Sequence, residues 1–279
     1  MSALRFLIVD GYTKGGRAAL QSGGASLAGH LYRDMLLAYR PQAEWDIVYP
    51  ADADAQLADL ASYDGVLWTG SSLTIYDDRP EVTRQIEFAR EGFRRGLLAF
   101  GSCWALQIAV TAAGGACRLN PKGQEFGISR ELRLTQSGAA HPLFKNRSAP
   151  FMAFTSHFDE VATLPADTSI LLGNQTSDIQ GADITQDGGR FFAVQYHPEF
   201  DFGVIAALAA MRHRHLVADG PFDNEAALDS FITDCNSLHD AGADRAAHQR
   251  LGVDDELLSP ALRHNEFKNW LDLHFPAVI

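Results

Sequence analysis

Short apolar runs alternate with longer stretches of helical period through the first third of the chain, and no other feature narrows the possible folds as much. "LRFLIVD" (4–10), "AEWDIVYP" (43–50), "YDGVLWTG" (63–70) and "LLAF" (97–100) read as strands. Between them lie "AGHLYRDMLLAYRP" (28–41) and "PEVTRQIEFAREGFRRG" (80–96), with apolar residues three and four apart. The second helix opens on Pro80 and stops at Gly96, where each residue type belongs in a helix. Connections this long are crossovers, so the strands lie parallel in one sheet and the helices cover it. The chain reads as α/β, with an open, mostly parallel sheet and flanking helices.

After "CWALQIAVTAAGG", a helix ending at Gly114 and Gly115, the pattern changes. "ISRELRLTQ", "APFMAFTSH", "TSILLGNQ" and "RFFAVQYHPEF" are strand candidates with turn residues between them, which predicts hairpins appended to the parallel core. From Gly203 onward four segments read as helical, the first being "VIAALAAMRHRHLVADG". Residues 1–202 are therefore expected to form the main domain, with 203–279 a helical C-terminal extension packed on it. A chain of 279 residues, 46% hydrophobic, can bury a core of that size. "GYTKGGRAALQSGGAS" (11–26) reads as a glycine-rich loop near the sheet's active edge, either a pocket wall or lid or a mobile surface loop. It lacks the spacing of a phosphate-binding loop.

The charge balance, 35 acidic against 23 basic side chains, gives a net charge of -12 and would repel a nucleic-acid backbone or an anionic membrane. No apolar run reaches the roughly 18 residues of a membrane span, and "MSALRFLIVD" has no secretory pattern. A cytoplasmic protein with neither nucleic-acid nor membrane partners is expected. Cys103, Cys117 and Cys235 are an odd number with no close pair, so neither a disulfide framework nor a cysteine-rich metal site is indicated. His157 and the "HRH" at 213–215 show no metal-ligand spacing.

Cys103 stands out among the three. In "LLAFGSCWALQIAV" it follows a strand and begins a helix, the context of a nucleophile elbow, although the pattern is G-x-C-x-A and lacks the second glycine. A thiol at a helix N-terminus meets unpaired N–H groups that favour its thiolate. Ligands of open α/β sheets collect at that same strand edge. The segment "FFAVQYHPEF" ends an apolar strand on His197, with Glu199 two residues later. A thiol attacking a carbonyl needs an imidazole to accept and return a proton, and the imidazole needs an acceptor to fix its tautomer. Cys103, His197 and Glu199 supply that set.

On these motifs the chain resembles the class I, triad-type glutamine amidotransferases, in particular domains similar to the glutaminase domain of GMP synthase. The family elbow G-x-C-x-G-x-Q is matched by Gly101, Cys103 and Gln107, with Ala105 at the second glycine. The histidine motif Q-x-H-P-E is matched by Gln195, His197, Pro198 and Glu199. "EFG" from Glu125, "HPLF" from His141 and "SHFDEVATLP" from Ser156 follow the family order, and the similarity spans about residues 4–202. The resemblance implies an oxyanion hole in the loop after the third strand, at Gly70 or Ser71, completed by the backbone N–H of Trp104. It implies hydrolysis of a γ-glutamyl amide through a γ-glutamyl thioester, with no metal or organic cofactor. Gln107, Tyr12 and Tyr76 are the candidate substrate contacts, and Trp104 offers a further apolar surface. His157 and Asp159 are expected to build a structural loop.

The substrate is a small molecule, either glutamine or a substituted γ-glutamyl amide. Two alternatives to an independent hydrolase stay open: a glutaminase subunit passing ammonia to a separate synthetase, and a non-catalytic interaction protein that keeps the fold. A synthetase or a second copy of the chain are the candidate protein partners.

Overall fold

The computed structural model describes residues 3–56, 59–241 and 244–276. Its strands are β1 (Arg5–Val9), β2 (Glu44–Val48), β3 (Gly65–Trp68), β4 (Leu98–Ser102), β5 (Ala116–Leu119), β6 (Glu125–Leu134), β7 (Phe151–His157), β8 (Asp159–Thr163), β9 (Thr168–Gly173), β10 (Gly181–Gln186) and β11 (Gly189–Val194). The helices are α1 (Lys14–Ser22), α2 (Ala28–Tyr39), α3 (Pro80–Arg94), α4 (Trp104–Ala112), α5 (Gln136–Ala140) and α6 (Phe202–Met211), then α7 (His213–Ala218), α8 (Glu225–Ala241), α9 (Arg245–Leu251), α10 (Asp255–Leu258), α11 (Pro260–Arg263) and α12 (Asn265–His274).

Nine strands form one sheet in the order β2-β1-β3-β4-β11-β10-β9-β6-β7, and β5 pairs with β8 apart from it. The half from β2 to β11 is parallel and the half from β11 to β7 antiparallel. The expected hairpins extend the parallel core within one sheet, because β11 returns to lie parallel beside β4. Register then decides where the chemistry goes. Val9 faces Trp68, Trp68 faces Gly101, and Val194 faces Ser102. The chain therefore leaves four neighbouring strands at one edge, carrying Gly11, Gly70, Cys103 and His197 within three residues of the last pairings.

Alternation along β1 divides the core. Leu7 and Val9 face α3 and α4 among Trp68, Phe88, Phe93 and Phe191. Phe6 and Ile8 face the other way, onto Tyr32 of α2 and Phe267, Trp270 and Leu271 of α12. The last helix thus covers the same sheet face as α2. A third cluster joins Tyr12 and Leu20 to α6, α8 and α9 through Phe202, Ile205, Leu208, Leu228 and Cys235. No described helix is long and apolar enough to cross a membrane.

Two expectations change. The glycine-rich stretch 11–26 holds a helix, α1. The Thr13 hydroxyl caps it by accepting from Gly16 N at 3.0 Å, and Arg17 holds Asp52 at 2.5 Å while lying over the Tyr49 ring. Gly23 ends α1 against α6, where a Cβ would stand 2.3 Å from Met211 Cγ. The segment read as one helix from Val204 breaks at Arg212 into α6 and α7, with Arg212 at φ -103° and ψ 13°.

Candidate active site

A single residue, Cys103, turns the chain from β4 into α4. Its backbone sits at φ 54° and ψ -100°, a conformation that side chains seldom adopt, and Cys103 N is pinned to Val194 O at 2.7 Å. Ala105 fits here because Gly101 makes room for it. A methyl built at Gly101 would lie 2.4 Å from Ala105 Cβ and 2.5 Å from Trp68 O, so the helix fills the space from its own side. At rest the thiol donates to Ser156 O at 3.6 Å. At Cys117 and Cys235 burial pushes the thiols up to about 12 and keeps them protonated.

His197 lies just beyond β11 with its amide held by Phe154 O at 2.8 Å and its ring stacked on Phe200, centroids 3.8 Å apart. Nδ1 meets Glu199 Oε1 at 2.7 Å, which leaves Nε2 for the thiol. Burial pushes the imidazole down, but Glu199 and then Cys103 outweigh it and raise the ring to about 9. Behind Glu199 stand two residues that sequence reasoning missed. Ser102 Oγ donates to the same Oε1 at 2.9 Å, and Tyr32 OH donates to Ser102 Oγ at 2.8 Å. Glu199 Oε2 is buried and has no partner among the described residues, so one oxygen carries both bonds. Ser102 adjoins the cysteine and was open to notice, but Tyr32 comes from α2, 70 positions earlier, with no local signal.

The loop after β3 closes over the thiol. A Cβ at Gly70 would stand 2.8 Å from His197 Cε1 and 3.7 Å from Cys103 Cβ, so only glycine permits this approach. Among the described residues the amides of Gly70, Ser71 and Trp104 donate to no protein acceptor. The Ser71 hydroxyl donates to Gly11 O at 2.9 Å, fixing the loop to the turn after β1. The Trp104 indole is buried and donates to Gln85 Oε1 at 2.9 Å, while Gln85 Nε2 donates to Gly11 O at 3.2 Å. Its ring therefore serves the loop's packing more than an open apolar wall.

A cleft of about 610 Å³ opens from Cys103. Gln107 lines it, and its buried Oε1 has no partner among the described residues. Tyr76 stands at the rim, half exposed, its hydroxyl donating to Asp159 Oδ1 at 2.9 Å. Tyr12, the third expected contact, is not in the lining. Asp10 accepts from Tyr12 N at 3.0 Å and from Gly29 N at 3.1 Å, closing a turn that sends the tyrosine inward beside Leu20. His157 braces the cleft wall, with Nδ1 against Asp159 O at 3.0 Å and Nε2 against Glu125 at 2.9 Å. The far wall comes from the C-terminal helices: Met211, Arg212 and His215. No group of three or more histidine, cysteine or acidic residues able to hold a metal occurs among the described residues.

The model of the family "Glutamine amidotransferase class-I" matches residues 39–207. The chain is 34% identical to a Pseudomonas gamma-glutamyl-L-1-hydroxyisopropylamide hydrolase, over 98% of this chain and 93% of that one. It is 27% identical to the glutamine-hydrolyzing GMP synthase of Symbiobacterium thermophilum over 54% of this chain, but spans only 28% of that enzyme. A glutamine amidotransferase from Thermotoga maritima superposes with a TM-score of 0.67 over 99% of this chain and all of that one, at 13% identity, and so shares the fold.

Proposed function

The chain belongs to the class I glutamine amidotransferases, and we propose that within this family it hydrolyses a γ-glutamyl amide, releasing glutamate and an organic amine. The observation that carries the reading is Cys103 held at the strand-to-helix turn beside a His197 that Glu199 grips at 2.7 Å. The similarity to the hydroxyisopropylamide hydrolase, unlike that to GMP synthase, runs nearly the full length of both chains and supports an amine larger than ammonia.

In this reading His197 Nε2 holds the proton that has left the thiol while the Cys103 sulfur adds to the γ-carbonyl carbon. The amides of Gly70 or Ser71 and of Trp104 hold the oxyanion. The C–N bond breaks as His197 returns its proton to the leaving amine, giving the γ-glutamyl thioester. Water then adds to that carbon, His197 takes its proton, and the C–S bond breaks with the proton passing to sulfur. Glu199 holds the ring in the Nδ1–H tautomer throughout and stabilises its charged form. Gln107 contributes an unspent acceptor to the substrate, and Tyr76 borders the amine side. Residues 1–202 carry the chemistry and 203–279 complete the same folding unit. A nucleophile that must stay a free thiol suits the reducing cytoplasm.

The test is a panel of γ-glutamyl alkylamides and amino-alcohol amides beside glutamine, read as kcat/KM for glutamate release. At least one substituted amide is expected to exceed glutamine. Weak turnover of every amide, with glutamine hydrolysis stimulated by an added synthetase, would favour the ammonia-delivering reading instead.

A further inference from the structure

Arg212 lies beyond the stretch that the family model matches, yet its side chain lines the cleft of Cys103. It ends α6, where the helix breaks, and Nη1 donates to Ser156 Oγ at 2.6 Å. Ser156 is the residue whose carbonyl accepts from the thiol. One residue therefore separates the guanidinium from the nucleophile. Arg212 is half-buried, and among the described residues it has no carboxylate partner, in a chain with 35 acidic side chains. Arg147, whose side chain is only 3% exposed, is matched by a two-pronged pair with Glu266 at 2.7 and 2.8 Å. Arg263, also without a carboxylate, is satisfied by the carbonyls of Phe200, Leu257 and Leu258, whereas Arg212 has Ser156 Oγ alone among the described residues.

The other charged or titratable groups of the cleft leave Arg212 free. Asp159 is engaged by the Tyr76 hydroxyl and His157 by Glu125. His215, on α7, lies against the Phe158 ring with centroids 5.2 Å apart. Position at the C-terminus of α6 favours a cation but does not use the fork of a guanidinium, which is shaped for a carboxylate.

We propose that Arg212 binds the α-carboxylate of the γ-glutamyl group and so makes the C-terminal helices part of the substrate site. The inference rests on the γ-glutamyl reading above. That carboxylate is four bonds from the carbon the thiol attacks and is common to every γ-glutamyl amide, so a cation reached through Ser156 holds the acyl half while leaving the amine half to the rim at Tyr76. A carboxylate borne by the amine is the competing source of the same chemistry.

The experiment pairs ligand truncation with substitution in the full chain. Binding of L-glutamate is compared with 4-aminobutanoate, which lacks only the α-carboxylate, by calorimetry in the wild type, Arg212→Lys and Arg212→Gln. Hydrolysis of a γ-glutamyl alkylamide is compared with its α-carboxamide analogue in the same proteins, with circular dichroism to establish folding. The wild type is expected to prefer the α-carboxylate by about thirtyfold or more, the cost of stranding one partner of a desolvated pair. Arg212→Lys should keep part of that preference, and Arg212→Gln should bring it near unity by raising KM more than it lowers kcat. A preference that survives in folded Arg212→Gln overturns the assignment. So does a preference lost only between γ-glutamylglycine and γ-glutamylethylamide, which would place the carboxylate on the amine. A wild type that cleaves no γ-glutamyl amide sinks the proposed function; the glutamate arm still decides whether Arg212 holds an α-carboxylate, and equal binding of the two acids there rejects it.

Discussion

Cys103 and Arg212 both reach the cleft, one from the carboxyl edge of the sheet and one from the helices that follow it, and they arrive by different kinds of constraint. Cys103 is one residue past a strand whose register with β3 and β11 is fixed by pairing at Trp68–Gly101 and Val194–Ser102. Arg212 is placed by packing, since α6 rests on α8 and on Phe154 and its last turn meets Gly23 of α1. Main-chain pairing fixes the first to within a residue. The second depends on side-chain volumes contributed by segments nearly 200 positions apart. The edge should therefore respond to substitution through turnover, and the helices, Arg212 excepted, through stability.

The same change made in the two regions gives the largest contrast. Cys103→Ala should remove turnover, by about 10⁴-fold or more, while the protein stays folded. Cys235→Ala, in the fully buried cluster under α8, should leave the folded protein near wild-type turnover and lower stability by about 1 kcal/mol. Initial rates together with denaturant titration check both. A folded Cys103→Ala with near-normal turnover would end the proposed mechanism.

Two glycines sharpen the comparison, because a methyl on either meets a histidine. At Gly70 it would stand 2.8 Å from Cε1 of His197, a ring pinned by Glu199 and stacked on Phe200. At Gly203 it would stand 2.7 Å from Nδ1 of His239, whose side chain is 49% exposed and can swing into solvent. Gly70→Ala is expected to cost about a hundredfold in kcat/KM, on the scale of a lost oxyanion donor. Gly203→Ala, inside α6, should cost nothing and can add up to about 1 kcal/mol of stability. Equal effects at both sites would mean that the edge is no more rigid than the helices.

Legibility follows the same division. The elbow at Cys103 and the pair His197 and Glu199 are local patterns, so their spacing announces a shared role before any fold is known. The parallel strands β1, β3 and β4 are equally plain, being largely apolar. β5, β8 and β10 are not, since "ACRL", "DEVAT" and "GADITQ" lack a clear period of two and find their strand form only through partners. Helix α1 hides behind its glycines because its stability comes from the Thr13 cap and contacts with Asp52 and α6. Tyr12 looks like a rim aromatic until Asp10 turns it inward. Arg212 sits in a run of basic residues that resembles any solvated helix end.

Buried histidines separate the regions by pH. His197 is raised to about 9 with an ordinary unfolded value of 6.5, so its contribution to stability is fully present below about 6.5 and lost as pH rises through 9. His264, between α11 and α12, is lowered to about 4 by burial and by Arg263. Its contribution is present above about 6.5 and lost as pH falls through 4. Unfolding midpoints between pH 4 and 9.5 should therefore decline at both ends, each by on the order of 1–3 kcal/mol from these groups. Glu199→Gln should flatten the alkaline limb alone and His264→Gln the acid limb alone. Crossed effects would mean that the two sites are coupled.

The smallest expected effect tests how far behind the edge the constraint extends. Ser102 donates to the oxygen of Glu199 that also holds His197, and Tyr32 donates to Ser102. Removing the Ser102 hydroxyl leaves Glu199 bonded to His197 but free to turn about that one bond, with its buried second oxygen still unpaired. Ser102→Ala should thus lower kcat about three- to tenfold with KM unchanged, the worth of one neutral donor to a charged acceptor in a dry site. Ser102→Thr, which keeps the hydroxyl, should restore most of it. Tyr32→Phe should do less than Ser102→Ala, because the serine can still donate to Glu199 once its own donor is gone. A packing defect would instead lower stability in all three variants and leave kcat of the folded fraction unchanged. The order Ala below Phe below Thr in kcat is what a hydrogen-bonded line from α2 to the imidazole requires, and any other order places the boundary of the working edge at Glu199.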